Sequence, residues 1–159
     1  AVLAGLMRVY SDTVNMVNAP FLAKERGLDV REVRHDREGD YQTLVRVTVS
    51  TEAGDKSVAG TLFGHAQPRL VELFGIKVEA DLDGHMLYIV NQDAPGFIGR
   101  LGSKLGESDV NIGTFHLGRR NQGGEAVLLL SVDGTVTEPL RWAICNLAGV
   151  KQVKLLRFA

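Results

Sequence analysis

The chain has one cysteine and one tryptophan among 159 residues. A lone thiol, Cys145, permits no internal disulfide and no multi-cysteine metal site, and makes a reducing cytoplasm the expected compartment. An excess of charge is missing as well, since 18 Lys and Arg face 19 Asp and Glu for a formal net charge of −1. With a pI near 6.5, no nucleic-acid surface built on bulk positive charge is expected. No run approaches the roughly 20 apolar residues of a membrane span, and no signal peptide is visible, so neither a membrane nor nucleic acid is expected as a partner. Phosphate loops, H-E-x-x-H, G-x-S-x-G and C-x-x-C are all absent. The four histidines, His35, His65, His85 and His116, show no ligand spacing. Neither a catalytic residue nor a metal site is therefore expected.

What is present is an apolar share of 45% and 18 glycines, against an average glycine usage of about 7%. The glycines follow no period, so they read as turns between many short elements. Leu3, Leu6, Met7 and Tyr10 fall at helical spacing, and a second helix is expected from Asn18 as N-cap and Pro20 to Gly27, with Phe21 and Leu22 facing inward. Leu28 to Arg34, Tyr41 to Ser50, Lys56 to Leu62 and Arg69 to Ala80 read as strands, punctuated by Glu38-Gly39-Asp40, Glu52-Ala53-Gly54-Asp55 and Phe74-Gly75. Asp81-Leu82-Asp83-Gly84 is the expected junction. Beyond it, Met86 to Val90 is an unbroken apolar run, as in a strand inside a sheet. A helix follows from Pro95, with Phe97, Ile98, Leu101 and Leu105 on one face. Val110 to Arg119 is a strand, Asn121 to Gly124 a hairpin turn, Ala126 to Val132 a strand, Leu140 to Leu147 a helix, and Val150 to Phe158 a last strand. The expected class is α+β: a small helix-plus-antiparallel-sheet domain over 1–82, then a ferredoxin-like βαββαβ domain over 84–159. Because Ala1 opens inside an apolar segment, the first domain is expected to be truncated at its N-terminus.

Gly96, Gly99 and Gly102 open a helix after a strand, yet the spacing is not G-x-G-x-x-G, which argues against a dinucleotide site. Asn91 and Asp93 stand at the mouth of that helix, where free N–H groups and the helix dipole favour a carboxylate. Asp93 adds a fixed negative charge suited to an ammonium. Together they match a free amino acid, with organisation of the turn and capping of the helix as the equal alternative. Trp142 is expected at a domain or subunit contact, and the His35-Asp36-Arg37-Glu38 tip as a solvated hairpin.

The run His85-Met86-Leu87-Tyr88-Ile89-Val90-Asn91-Gln92-Asp93-Ala94-Pro95-Gly96, followed by Gly99, Leu105 and Val110-Asn111-Ile112, resembles an ACT domain, an amino-acid-sensing module. Upstream, Val14-Asn15-Met16-Val17-Asn18-Ala19-Pro20, Leu22-Ala23-Lys24-Glu25-Arg26-Gly27, Gly60-Thr61-Leu62-Phe63-Gly64 and Pro68-Arg69-Leu70-Val71 resemble the intervening domain of the long-form D-3-phosphoglycerate dehydrogenase family. The resemblance covers essentially the whole chain. It implies the regulatory segment of a homotetrameric, NAD-dependent cytoplasmic enzyme that oxidises 3-phosphoglycerate at the first step of serine synthesis, with L-serine as feedback effector. The NAD-binding and catalytic domains would lie upstream, so this segment itself would bind no cofactor and be inactive alone. In the family the effector sits between two ACT domains, which places it here at Asn91, Asp93 and Asn111, with Pro95, Gly96, Phe97 and Ile98 around it. Asn91 stands where some serine-controlled members carry His or Tyr. The family's intervening domain sometimes binds an anion, for which Arg69, His65 and Lys77 are the candidates. A segment of an iron–sulfur L-serine dehydratase and a free-standing ACT-type protein are the alternative assignments.

Overall fold

Two short helices open the chain, α1 (Val2–Met7) and α2 (Ala19–Glu25). They bury Ala4, Met7, Ala19 and Ala23 with Val14 between them, and Leu3 and Leu22 pack against that cluster. The helical spacing at Leu3 is real, but the buried stripe is narrower than expected. Leu6 and Tyr10 are exposed and Phe21 is 71% exposed, because small alanines occupy the contact and only close approach of the two helices fits there. Asn18 precedes α2 without capping it through its side chain. Its amide instead accepts from the Asn15 N–H at 2.8 Å and donates to the Thr13 carbonyl at 3.1 Å. Gly27 takes the left-handed conformation that ends the helix (φ 72°), and the Leu28 N–H bonds back to the Ala23 carbonyl at 2.9 Å.

The computed structural model describes residues 1–33, 41, 43–52, 54–64 and 66–158, and Leu28 to Val33 are in neither helix nor strand. The turns expected at Glu38 to Asp40, the tip at His35 to Glu38 and the residues Arg34, Ala53 and His65 lie outside the described residues. By compactness the chain divides into Ala1–Arg37 and Glu38–Ala159. The connection at Asp81 to Gly84 therefore joins two sheets inside the second unit.

The first of these sheets is an antiparallel meander of β1 (Leu44–Thr51), β2 (Gly54–Phe63), β3 (Gln67–Leu73) and β4 (Ile76–Asp81). The expected run Arg69 to Ala80 is thus a hairpin, turned at Phe74 and Gly75, both at positive φ (52° and 75°), as a tight two-residue hairpin requires. The second sheet contains β5 (His85–Gln92), β6 (Asn111–Arg119), β7 (Glu125–Asp133) and β8 (Val150–Arg157), in the order β6-β7-β5-β8 and antiparallel throughout. With α3 (Phe97–Gly106) after β5 and α4 (Glu138–Cys145) after β7, this is the ferredoxin-like βαββαβ arrangement.

Strand parity explains the continuous apolar runs. Leu87 and Ile89 of β5 and Leu128 and Leu130 of β7 pack with Phe97, Leu101, Leu105, Leu140 and Ile144 of the helices. Met86, Tyr88 and Val90, with Val127 and Leu129, point the other way and pack on Leu70, Ile76, Val78 and Ala80 of the first sheet. The central strands are apolar on both faces because both faces are covered. The two sheets approach closely at Gly118, where a Cβ would lie 2.4 Å from the Lys77 carbonyl oxygen. Arg120 Nη2 also donates to the Phe74 carbonyl at 2.8 Å. On α3 the buried face is Phe97, Leu101 and Leu105, whereas Ile98 is 52% exposed and Trp142 of α4 69% exposed. Cys145 packs at the edge of the helix-side core.

Candidate functional site

One end of the second sheet carries the polar residues singled out above. Asn91 ends the buried run of β5, and the chain then turns through Asp93, Ala94 and Pro95 into α3. Gly96 is the N-cap, at φ 78°, a left-handed conformation that glycine adopts at little cost. Pro95 therefore precedes the helix instead of opening it. No side chain caps this helix, so Asn91 and Asp93 do not serve as its cap, whereas both hydrogen-bond within the adjoining loops.

Asp93 turns instead toward the β6–β7 hairpin. Its Oδ2 accepts from Arg119 Nη1 at 3.0 Å and from the Gly123 N–H at 3.2 Å. The Arg119 bond first, then that of Gly123, holds the Asp93 carboxyl below the usual carboxylate range. Two backbone bonds fix the same loop, Asp93 N–H to the Gly124 carbonyl and Gln92 N–H to the Gly149 carbonyl, both at 2.8 Å. Asn91 is only 2% exposed. Its Nδ2 donates to the Gln92 carbonyl at 2.8 Å, while its Oδ1 is buried without a partner.

These groups line an open cleft of about 490 Å³, within the ordinary range of small-ligand sites. Asn91, Asp93, Pro95, Gly96, Phe97 and Ile98 all contribute to its wall. Asn111 does not: it lies at the start of β6, with its Nδ2 on Asp133 Oδ2 at 2.9 Å. Arg119, at the pocket, ends the same strand, and that separation along a strand is roughly 26 Å. Sequence reading missed Leu117, Arg119 and Gly123, which the β6–β7 hairpin brings to the cleft. Strand register, which only the structure supplies, brings them there. Arg119 pairs with Ala126 and Ala126 with Asn91, so the three stand in one row on one face of the sheet.

The anion candidates lie elsewhere. Arg69 of β3 is opposite Asp81, with its Nε 2.9 Å from Asp81 Oδ1 and its guanidinium 4.8 Å from the centre of the Phe63 ring. Lys77 of β4 is opposite Glu72, which also pairs with Arg46 through Nη2 at 2.9 Å. Each cation thus faces a carboxylate, and His65 is outside the described residues. Gly96, Gly99 and Gly102 sit at the cap and within α3 of an all-antiparallel sheet, not in the parallel βαβ unit that holds a dinucleotide, so these glycines do not fit NAD. Among the described residues no helix is long and apolar enough to cross a membrane.

Residues 1–74 match the family model of the D-3-phosphoglycerate dehydrogenase intervening domain. Over 157 residues, 98% of this chain, it is 36% identical to D-3-phosphoglycerate dehydrogenase of Bacillus subtilis, covering 30% of that protein. The enzyme of the same name from Synechocystis is 31% identical over 95% of this chain and 27% of its own length. That of Methanocaldococcus jannaschii is 32% identical over 90% and 27%. The chain therefore spans less than a third of the relatives it matches. Its first 74 residues match the intervening domain and, over nearly its whole length, the chain is similar to D-3-phosphoglycerate dehydrogenases in a way that fits their C-terminal regulatory region.

Proposed function

We propose that this chain is the regulatory and oligomerising segment of a cytoplasmic D-3-phosphoglycerate dehydrogenase, the NAD-dependent oxidation of 3-phosphoglycerate being carried out by the rest of the enzyme. Its ferredoxin-like half is an ACT-type module that takes L-serine as feedback effector. The observation that carries this reading is the cleft at the start of α3, lined by Asp93, by Asn91 with its orphaned oxygen and by the first residues of a helix that no side chain caps. An ammonium satisfies the first two. The N–H groups around Gly96 to Ile98 suit the effector's carboxylate.

Asn111 enters from a second copy. The strand that carries it, β6, is an edge of its sheet, without Pro or Lys among its residues to block strand addition. An antiparallel two-fold pairing about Phe115, the middle of β6, sets Asn111 of the second copy opposite Arg119, beside the cleft. The relatives' shared name supports this assignment over a serine dehydratase segment or a free-standing binding protein.

Isothermal titration of the full 159-residue chain with L-serine tests the reading, with L-alanine and D-serine as controls. Heat that saturates for L-serine, at about one site per chain or two per dimer by the symmetry of the pairing, is the expected result. No heat at millimolar L-serine overturns the effector role and leaves a module that only joins subunits.

A further inference from the structure

The cleft holds two opposite charges that already neutralise one another. Arg119 is 54% exposed along its side chain and Asp93 24%, and the two, joined by a 3.0 Å bond, line the cleft together with Asn91. Ala126 stands between Asn91 and Arg119 in the row that spans β5, β7 and β6. Its small side chain lines the same cleft as the two polar ends. A molecule filling that cleft meets acceptors at Asn91 and Asp93 and donors at Arg119. A buried acceptor without a donor is destabilising until one reaches it, so a ligand bringing N–H groups to Asn91 relieves a cost present in the free chain.

We propose that Arg119 is the carboxylate anchor of this pocket, and that its ion pair with Asp93 is the ligand-free clasp. An α-amino acid opens it by giving its ammonium to Asp93 and Asn91 and its carboxylate to the guanidinium. The proposal rests on the amino-acid reading above, adds the Arg119 guanidinium to the carboxylate's partners beside the N–H groups at the start of α3, and assigns the chemical selectivity that reading leaves open. Asp93 engages Arg119 through Nη1, and a guanidinium offers five N–H donors in a planar fork that matches a carboxylate in two-point contact. The exchange is selective for zwitterions. A ligand with only an ammonium takes Asp93 and strands Arg119, and a ligand with only a carboxylate does the reverse. An amino acid replaces one charge-assisted bond by two.

The test is calorimetric titration of the full chain and of Arg119→Gln with L-serine, ethanolamine (no carboxylate) and 3-hydroxypropionate (no ammonium). In the unaltered chain L-serine should bind at least about tenfold more tightly than either half-ligand, the scale of one charge-assisted bond. Arg119→Gln should weaken L-serine by about tenfold or more while leaving ethanolamine unchanged or tighter, since Asp93 is released. Arg119→Lys, which keeps the charge and loses the fork, should fall between, and it serves if the Gln variant does not fold. Equal loss for L-serine and ethanolamine in Arg119→Gln overturns the anchor and leaves the effector reading standing. No binding of L-serine to the unaltered chain overturns both.

Discussion

At the scale of single residues, two groups report on their surroundings through their protons. Asp93 is held below the usual carboxylate range by Arg119 and the Gly123 N–H. Its folded pKa lies below its unfolded one, so its contribution to stability is present above the ordinary carboxylate pKa and is lost as pH falls through the folded value. Binding of an amino acid through its ammonium should therefore persist to pH values at which an unpaired aspartate is already protonated. Replacing Asp93 by Ala should weaken L-serine by about ten- to a hundredfold with the circular dichroism spectrum unchanged, and titration of that variant checks both. Tyr88 behaves oppositely. Its hydroxyl is buried between the two sheets without a partner, and burial, then the charge of Glu125, pushes its pKa up to about 12. For an acid raised in this way the stability is fully present below the unfolded pKa near 10 and is lost as pH rises through the folded value near 12. Of the three tyrosines, one should ionise near 12 in the ultraviolet titration, and Tyr88→Phe should remove that step. The same substitution deletes an unsatisfied buried hydroxyl, so it should raise stability by about 1 kcal/mol in urea unfolding.

At the scale of elements, the crossing of β4 over β6 decides how the two sheets of the second unit fit. Gly118 lies within β6, where any side chain meets the Lys77 carbonyl at 2.4 Å, the Ile76 side chain at 2.8 Å and Val78 Cβ at 3.0 Å. Backbone on one side and packed branched side chains on the other cannot yield as a flexible tip does. Gly118→Ala should therefore cost about 1–3 kcal/mol, read as a lower urea midpoint. Gly99 of α3, with open space around its would-be Cβ, is the control, and Ala there should stabilise by up to about 1 kcal/mol through helix propensity. Helix α3 also shows why its face was only partly legible. Phe97, Leu101 and Leu105 recur at fours and enter the core. Ile98 is equally apolar, but it lies one residue on, at the rim of the cleft.

At the scale of the whole chain, the pairing of two copies proposed above falls on β6, an edge strand of the second sheet. Leu117, which lines the cleft, is itself on β6 and 43% exposed. Pairing of β6 with a second β6 covers it and joins the two clefts to one interface. Leu117→Lys places a charge on that edge, a device by which proteins discourage strand addition. It should shift the chain toward monomers in sedimentation equilibrium and weaken L-serine in parallel, because Asn111 of the second copy is withdrawn. Monomers that bind L-serine as tightly as the unaltered chain would place the whole site within one copy.

The amino-acid sequence by itself determined the elements and the class of the second half. Its apolar runs at Met86 to Val90 and Ala126 to Val132, its turn at Asn121 to Gly124 and its helical spacing from Phe97 to Leu105 are local patterns, and local patterns specify local structure. Asn91 and Asp93 were legible as polar groups beside a helix start for the same reason. Only the tertiary structure decided what those groups face. Register carries Arg119 to Asp93 and leaves Asn91 Oδ1 without a donor, and that register depends on the pairing of β5 with β7, strands separated by more than twenty residues. The covering of both faces of β5 and β7 was equally beyond reach, because an unbroken apolar strand states that two partners exist without naming them. Here one partner is the helix pair and the other is the preceding sheet, and Asp81 to Gly84 is the stretch that joins the two sheets.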